Sequence, residues 1–306
     1  MVQIERQAGP PAPAPEVCPV CGGAPAGRRE VVRAGTVAVC GSCGSYFRVP
    51  RPAPAQLGAI YDKGYYDSWG VAEDEAIARA AKTATFLPVI RRIERLLGCT
   101  EGAGRRLLDV GAATGLLLLV AQQRGWTPFA VEINPYSAGV LRQQVGPGNV
   151  FEGELTGCPF PPGSFDAMTM TDVIEHVPDV PATLRAARRL LRPGGVLCLT
   201  TPRIDSFTRW VMRRSWLHYK LEHIQYFSAE GIRRALEESG LADVRISGHW
   251  KRLSLDYLHT QLKTYRHWAL TPVVSGLRRV LPACLCRRPF GYLCGEMLVT
   301  ARATNG

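Results

Sequence analysis

Leu107-Leu-Asp-Val-Gly-Ala-Ala-Thr-Gly-Leu-Leu117 constrains the fold more than any other stretch of the chain. An apolar run ends in an acid, passes through small residues and enters an apolar helical pattern, which reads as strand, tight loop and helix. Small residues in such a loop let the backbone approach a ligand at the carboxyl end of a first strand. Glu132 follows 21 residues after Gly111, at the end of the next apolar run, where a carboxylate can accept two hydrogen bonds from ribose hydroxyls. The alternation continues, with strands expected over 106–110, 128–133, 149–153, 165–170, 196–200, 244–247 and 297–301. Helices are expected over 73–97, 114–124, 136–144, 180–191 and 229–239, the last with Ser228 as N-cap. Apolar strands alternating with helices predict a parallel, doubly wound α/β sheet.

Two cofactor types use a loop of this kind. A dinucleotide site wants G-x-G-x-x-G, which admits a pyrophosphate at the helix N-terminus. Here the order is D-x-G-x-x-x-G, with only Gly111 and Gly115, and Asp109 suits an amine-bearing ligand better than a pyrophosphate. The segment resembles motif I of the class I S-adenosylmethionine-dependent methyltransferases, with Ala113 where that family most often has glycine. The resemblance runs in register over residues 105–245. Glu132 in Ala-Val-Glu-Ile-Asn matches the family's ribose-binding acid, and Glu154 in Glu-Gly-Glu-Leu the acid that approaches the adenine amino group. Met170-Thr-Asp-Val-Ile-Glu-His-Val177 matches the stretch that lines the methyl-transfer site, and Leu191-Arg-Pro-Gly-Gly195 the turn before the fifth strand. The resemblance implies a Rossmann-like seven-stranded sheet. It also implies cofactor contacts from Asp109, Gly111, Ala112, Gly115, Glu132, Ile133, Glu154, Leu155, Thr171 and Asp172.

Cys18-Pro-Val-Cys21 and Cys40-Gly-Ser-Cys43 are separated by 18 residues, the two-knuckle spacing of a four-cysteine zinc ribbon. Two residues between ligands let one tight turn aim both thiolates at a tetrahedral centre. Four thiolates leave no open coordination position, so such a zinc is structural. Gly22, Gly23, Gly41 and Gly44 suit these turns. Cys99, Cys158 and Cys198 read as small core hydrophobes, and Cys284, Cys286 and Cys294 do not make a metal set.

Methyl transfer is an in-line displacement at a sulfonium carbon. The protein supplies alignment and, for a hydroxyl or carbon nucleophile, a base. His176, after the fourth strand, and His223, in Tyr219-Lys-Leu-Glu-His-Ile-Gln-Tyr-Phe-Ser228, are the candidates, with Glu222 placed to tune an imidazole. This second stretch and the cysteine pairs together are similar to bacterial methyltransferases of sugar and natural-product pathways, deoxysugar C-methyltransferases among them. Those pair a four-cysteine zinc domain with this core and carry a Glu-His pair in a comparable loop. The present residues hold no counterpart of their large third domain and differ in tyrosine spacing before Glu222. The resemblance implies a small-molecule or glycan-pathway acceptor: a sugar, sugar nucleotide or secondary metabolite, methylated on carbon or oxygen. Tyr61-Asp-Lys-Gly-Tyr-Tyr66 and Trp69 resemble the aromatic segment that closes over the cofactor in such enzymes.

Organisation and composition complete the reading. Residues 1–16 are a proline- and alanine-rich arm, 17–50 the ribbon, 51–100 a linker and helical lid, and 101–306 the methyltransferase domain with a basic insertion at 249–293. No run approaches the length of a membrane-spanning helix and no apolar leader opens the chain, so a cytoplasmic protein with reduced thiols is expected. The net charge is +11, carried mostly by arginine, with 46% hydrophobic and 21% charged residues, which excludes global disorder. Residues 251–290 hold eight Lys or Arg and one acid, Asp256, interleaved with Leu253, Leu255, Tyr257, Leu258, Leu262, Tyr265, Trp268 and Leu270; Arg209-Trp-Val-Met-Arg-Arg-Ser-Trp-Leu217 is a second such stretch. Both suit an anionic membrane surface, a substrate cap, a subunit contact or a solvated face, so a membrane-peripheral enzyme acting on a lipid-linked intermediate is one alternative. A nucleic-acid methyltransferase is another, weakened because Thr171-Asp-Val-Ile-Glu lacks the Asn/Asp-Pro-Pro-aromatic signature used on base amines. The intact Asp109, Gly111, Gly115 and Glu132 argue against a non-enzymatic scaffold.

Overall fold

The computed structural model describes residues 17–52, 75–264 and 270–304. The arm 1–16, the aromatic segment at 61–69, and Tyr265 and Trp268 lie outside the described residues.

Three short strands, β1 (Pro25–Val32), β2 (Gly35–Cys40) and β3 (Tyr46–Arg48), form an antiparallel meander that carries both cysteine pairs at one end. Helix α1 (Glu75–Leu96) follows. Val89, Ile90 and Ile93 bury one of its faces against the core, so it is a core helix over this length as well as a lining element of the cavity. The main sheet then grows outward from β4 (Arg106–Val110) through α2 (Leu116–Gln123), β5 (Thr127–Glu132), α3 (Pro135–Val145) and β6 (Val150–Glu152). The chain returns to the other side of β4 with β7 (Phe165–Thr171), α4 (Val180–Leu190) and β8 (Leu191–Pro202). A short helix α5 (Phe207–Met212), strand β9 (Gln225–Tyr226) and helix α6 (Ala229–Glu238) lead to β10 (Leu241–Leu253). Helices α7 (Leu255–Thr264), α8 (Leu270–Val280) and α9 (Ala283–Arg287) precede β11 (Phe290–Ala303).

The seven-stranded sheet has the order β10-β11-β8-β7-β4-β5-β6. Successive strand residues point to opposite faces, and two cores follow. Leu108, Val110, Met168 and Leu199 join one cluster; Leu107, Ala130, Ala167 and Cys198 join the other with α1 and α2. The expected helices stand within a few residues of their elements, and Ser228 caps α6 by accepting from Gly231 N at 2.8 Å.

Two expectations need correction. The sheet is mixed, because β11 runs antiparallel to both β8 and β10. Repeated βαβ units make parallel strands, but α7, α8 and α9 form a helical excursion whose buried apolar residues, among those described, are Leu255, Leu262, Val274 and Cys286, and from it the chain runs back between β10 and β8. The insertion is also shorter than 249–293: residues 249–253 and 290–293 belong to β10 and β11. Among the described residues no helix is long and apolar enough to cross a membrane.

Candidate active site

Strand order places the site. The chain leaves β4 on one side toward β5 and comes back on the other with β7, so a crevice opens at the carboxyl ends of these strands. A cavity of about 1570 Å³ occupies that end of the sheet. All of Asp109, Gly111, Ala112, Glu132, Ile133, Glu154, Leu155, Thr171, Asp172, His176, Glu222 and His223 line it. Gly115 does not. It sits behind the loop at φ 77°, where a Cβ would run into Gln144 and Leu141 of α3, so its role is to let the loop turn into α2.

The loop is held from below by an acid. Glu132 is buried; one carboxylate oxygen accepts from Ala113 N at 2.8 Å and the other from Asn134 N at 2.9 Å. A carboxylate offers about four lone-pair sites, the acceptor chemistry that ribose hydroxyls need. Gly111 takes φ 69°, and a Cβ there would stand 2.6 Å from Val173 Cγ2. Ala113 takes φ 48°, a left-handed conformation that costs a non-glycine residue about 1–3 kcal/mol. Asp109 is buried at the end of β4 and accepts from Thr169 Oγ1 at 2.7 Å. Burial pushes its carboxyl up to about 7 against that hydrogen bond. Glu154 and Ile133 are exposed at the cavity edge, and Leu155 is buried. A buried acid, a glycine turn and a second buried carboxylate beneath the loop fit an aminoacyl-nucleoside cofactor.

The opposite wall is titratable. The segment after β7 and the loop before β9 bring His176 and His223 edge to face, with ring centroids 4.8 Å apart at 82°. His176 Nδ1 lies 2.9 Å from the carbonyl oxygen of Glu222, which can only accept, so Nδ1 carries the proton and Nε2 is the basic nitrogen. His223 is buried and its Nδ1 has no partner among the described residues. Burial lowers both imidazoles, His223 well below its ordinary value with the neighbouring His176 adding to the effect, so both are neutral near pH 7. The Glu222 carboxylate raises the His176 imidazole against the effect of burial. The backbone carbonyl of Glu222 orients His176, and its carboxylate lies 4.0 Å from Lys220 Nζ. The carboxylate that gathers with both imidazoles, ligand atoms within 4.8 Å of one another, belongs to Glu175. Glu175 is fully buried and accepts from Thr201 Oγ1 at 3.0 Å. Burial and the nearby Asp172 raise it well above the carboxylate range.

Four further residues, Lys251, Glu296, His218 and Glu175, were not singled out from the sequence. Lys251 Nζ bridges Asp172 Oδ2 at 2.8 Å and Glu296 Oε1 at 2.6 Å, with His218 Nδ1 3.7 Å from the same Glu296 oxygen. Burial alone would raise the Asp172 carboxyl, but the Lys251 ammonium overrides it and holds the group below its ordinary range. Glu296 pairs with Pro202 at the carboxyl end of β8, and Lys251 stands near the carboxyl end of β10. Both positions depend on the reversed β11, which no local pattern announces. Glu175 had a signal: it sits inside the quoted Asp-Val-Ile-Glu-His run.

The N-terminal module reaches the same wall. Its sheet gains β9 as a fourth strand, pairing Tyr46 with Tyr226 and Phe47 with Gln225. Gln225 Nε2 in turn donates to the carbonyls of Ile174 and Val177 at 2.8 and 2.9 Å, tying the His223 loop to the His176 segment. The two knuckles repeat each other: Gly22 N donates to Cys18 O at 2.8 Å with φ 69°, and Gly44 N to Cys40 O at 3.1 Å with φ 68°. The four Sγ atoms lie within 4.8 Å of one another.

Comparison with known proteins agrees with this geometry. A family described as a methyltransferase domain matches residues 81–246. The malonyl-[acyl-carrier protein] O-methyltransferase of Serratia marcescens is 31% identical over 129 residues, 41% of this chain and 51% of that protein. The ubiquinone biosynthesis O-methyltransferase of Xanthomonas oryzae pv. oryzae is 38% identical over 121 residues, 36% of this chain and 48% of that protein. The chain thus spans about half the length of the curated relatives it matches. A solved S-adenosylmethionine-dependent methyltransferase from Archaeoglobus fulgidus shares the fold at TM-score 0.52 and 16% identity, covering 79% of this chain and 100% of that one. The loop at the switch point, the acid beneath it and the family match over more than half of the chain lead to one conclusion: the chain belongs to the class I S-adenosylmethionine-dependent methyltransferases.

Proposed function

We propose that the chain methylates a small polar acceptor of a glycan or natural-product pathway, on oxygen or carbon, using the His176–His223 wall as its proton acceptor. The observation that carries the reading is that a nucleoside-fitting loop and a pair of neutral imidazoles, His223 buried and His176 half-buried, face one cavity. When bound, S-adenosylmethionine supplies a sulfonium methyl group that is attacked in line. Asp109 would hold the cofactor's amino group, Glu132 and Ile133 its ribose, and Glu154 and Leu155 its adenine, with Ala112, Thr171 and Asp172 supplying the remaining contacts. His223 takes the proton that the acceptor loses as its new bond to carbon forms. His176, held by the Glu222 carbonyl, keeps that imidazole neutral and in place. Glu175 and the Asp172–Lys251–Glu296 group present polar contacts to the acceptor.

Arg33 from the N-terminal sheet, Arg214 and Lys220 line the cavity on its outer side. Three cations there favour an acceptor with an anionic handle, such as a sugar on a nucleoside diphosphate. The relatives are named for small-molecule or carrier-bound acceptors, which supports the same broad class.

The four cysteine thiolates are proposed to hold a structural zinc, with 17–50 as a ribbon module, 51–100 as linker and lid, and 101–306 as the transferase domain. Matched knuckles with four sulfurs in one cluster suit tetrahedral thiolate coordination. Pairing with β9 gives that module a task, since it sets the backbone that presents His223.

The test begins with calorimetric titration of S-adenosylhomocysteine, with NADH as control, followed by an acceptor screen led by sugar nucleotides. For His223→Ala the expected result is turnover reduced at least about a hundredfold, as for loss of a general base, with S-adenosylhomocysteine affinity retained. Normal turnover in that variant on the identified acceptor would remove His223 from the role.

A further inference from the structure

The apolar residues of the 254–289 excursion divide between two surfaces. Leu255, Leu262 and Val274 turn inward, whereas Val273, Leu277 and Val280 of α8 recur at helical spacing and are exposed, Val280 by 82%. A second exposed group stands on α5, where Phe207 and Trp210 are 75% and 70% exposed with ring centroids 5.8 Å apart. The two groups flank one opening. Met212, the last residue of α5, Leu217 beyond it and Leu270, at the start of α8, line the same cavity. Between them lie Leu293 and Trp250, paired across β10 and β11 and exposed, and Thr208 of α5 packs against Gly295 two residues further on.

The charge around this rim is predominantly positive, Asp256 of α7 taking up Arg278 at 2.7 Å and lying 4.0 Å from Arg287. Residues 207–221 contain three arginines and a lysine and no acid; residues 270–290 contain four arginines and no acid. Arg213, Arg214, Arg279, Arg287 and Arg288 are exposed. Aromatic and aliphatic side chains ringed by arginines match a bilayer interface, where apolar groups enter the acyl boundary and guanidinium groups meet anionic headgroups. A twofold contact between copies of the chain would set these arginines against themselves.

We propose that the cavity rim formed by α5, the ends of β10 and β11, and α8 is a docking face for an anionic membrane surface, so that the acceptor cavity opens onto lipid. This narrows the contact expected over 251–290, since the inward half of that segment is core. It does not rest on the acceptor reading above, and cofactor binding is read separately.

The experiment is co-sedimentation of the full chain with vesicles of phosphatidylglycerol and phosphatidylcholine, and with phosphatidylcholine alone. Association with the anionic vesicles only is expected, weakening as salt is raised. Phe207→Ser with Trp210→Ser should weaken it at least about tenfold, since two large side chains lose their burial. Arg279→Glu with Arg288→Glu should weaken it as well, and both pairs should keep wild-type S-adenosylhomocysteine affinity. Failure to bind anionic vesicles, binding indifferent to lipid charge, or binding untouched by the serine pair overturns the proposal. So does a dimer, seen by light scattering, that the serine pair dissolves, because the rim would then be a subunit contact.

Discussion

Replacing Glu132 by alanine should damage two things at once, and the structure says by how much. The carboxylate holds Ala113 N and Asn134 N at 2.8 and 2.9 Å from a buried position. Hydrogen bonds to a charged group contribute about 1.5–3 kcal/mol each, and water entering the cavity recovers part of that for the stranded donors. A net loss of about 2–4 kcal/mol follows, and with it a melting temperature lower by about 5–10 °C in the ligand-free protein. Two ribose hydroxyls would lose the same acceptor, so S-adenosylhomocysteine affinity should fall by about two to four decades. Glu132→Gln keeps the size and one acceptor oxygen but turns an amide NH2 toward a backbone donor, and should fall between. Scanning calorimetry reads the first effect and titration calorimetry the second. A variant with wild-type affinity would refute the ribose assignment. A variant with wild-type melting and lost affinity would refute the claim that Glu132 supports the loop.

Two other outcomes are expected. Cys40→Ser should lower bound zinc and melting temperature together, since a four-thiolate site loses a ligand and the β3–β9 pairing loses its anchor; a metal-free protein of unchanged stability would defeat the zinc reading. Asp109 keeps its proton up to about pH 7 when folded but releases it near 3.8 when unfolded, so its contribution is full below about pH 4 and is lost as pH rises through 7. About three units of difference correspond to about 4 kcal/mol, and Asp109→Asn should therefore gain on the wild type in urea melts as pH is raised from about 5 to about 8, while a constant difference between the two would show that Asp109 is not the titrating group.

The loop that ends β4 and the acid that ends β5 were legible because each is local. Leu107 to Leu117 and the acid 21 residues beyond Gly111 are each one strand-loop unit, and such a unit dictates its own geometry. For Gly115 the structure adds a reason the loop pattern did not contain: a Cβ there would meet Gln144 and Leu141 of α3. The acceptor side was half legible. His176 and His223 could be named from their place after strands, and they do meet; the acid whose ligand atom gathers with theirs is Glu175, while Glu222 contributes a carbonyl and a charge that raises His176. Adjacent residues on an extended loop point apart, so sequence neighbours are poor guides to side-chain neighbours.

Local patterns therefore determined the α/β class, the cofactor loop and the spacing of the two cysteine pairs, because each depends on residues within a turn or a strand of one another. Tertiary structure alone decided what brings distant residues together. It reversed β11, and so delivered Lys251 and Glu296 to Asp172 across 79 and 45 residues from Lys251. It paired β3 with β9, and so joined the cysteine module to the His223 loop. It divided the basic insertion into an inward and an outward face. Strand direction and edge pairing are settled by which surfaces remain to be covered once the sheet has formed, and that is a property of the assembled layers that no window of sequence contains.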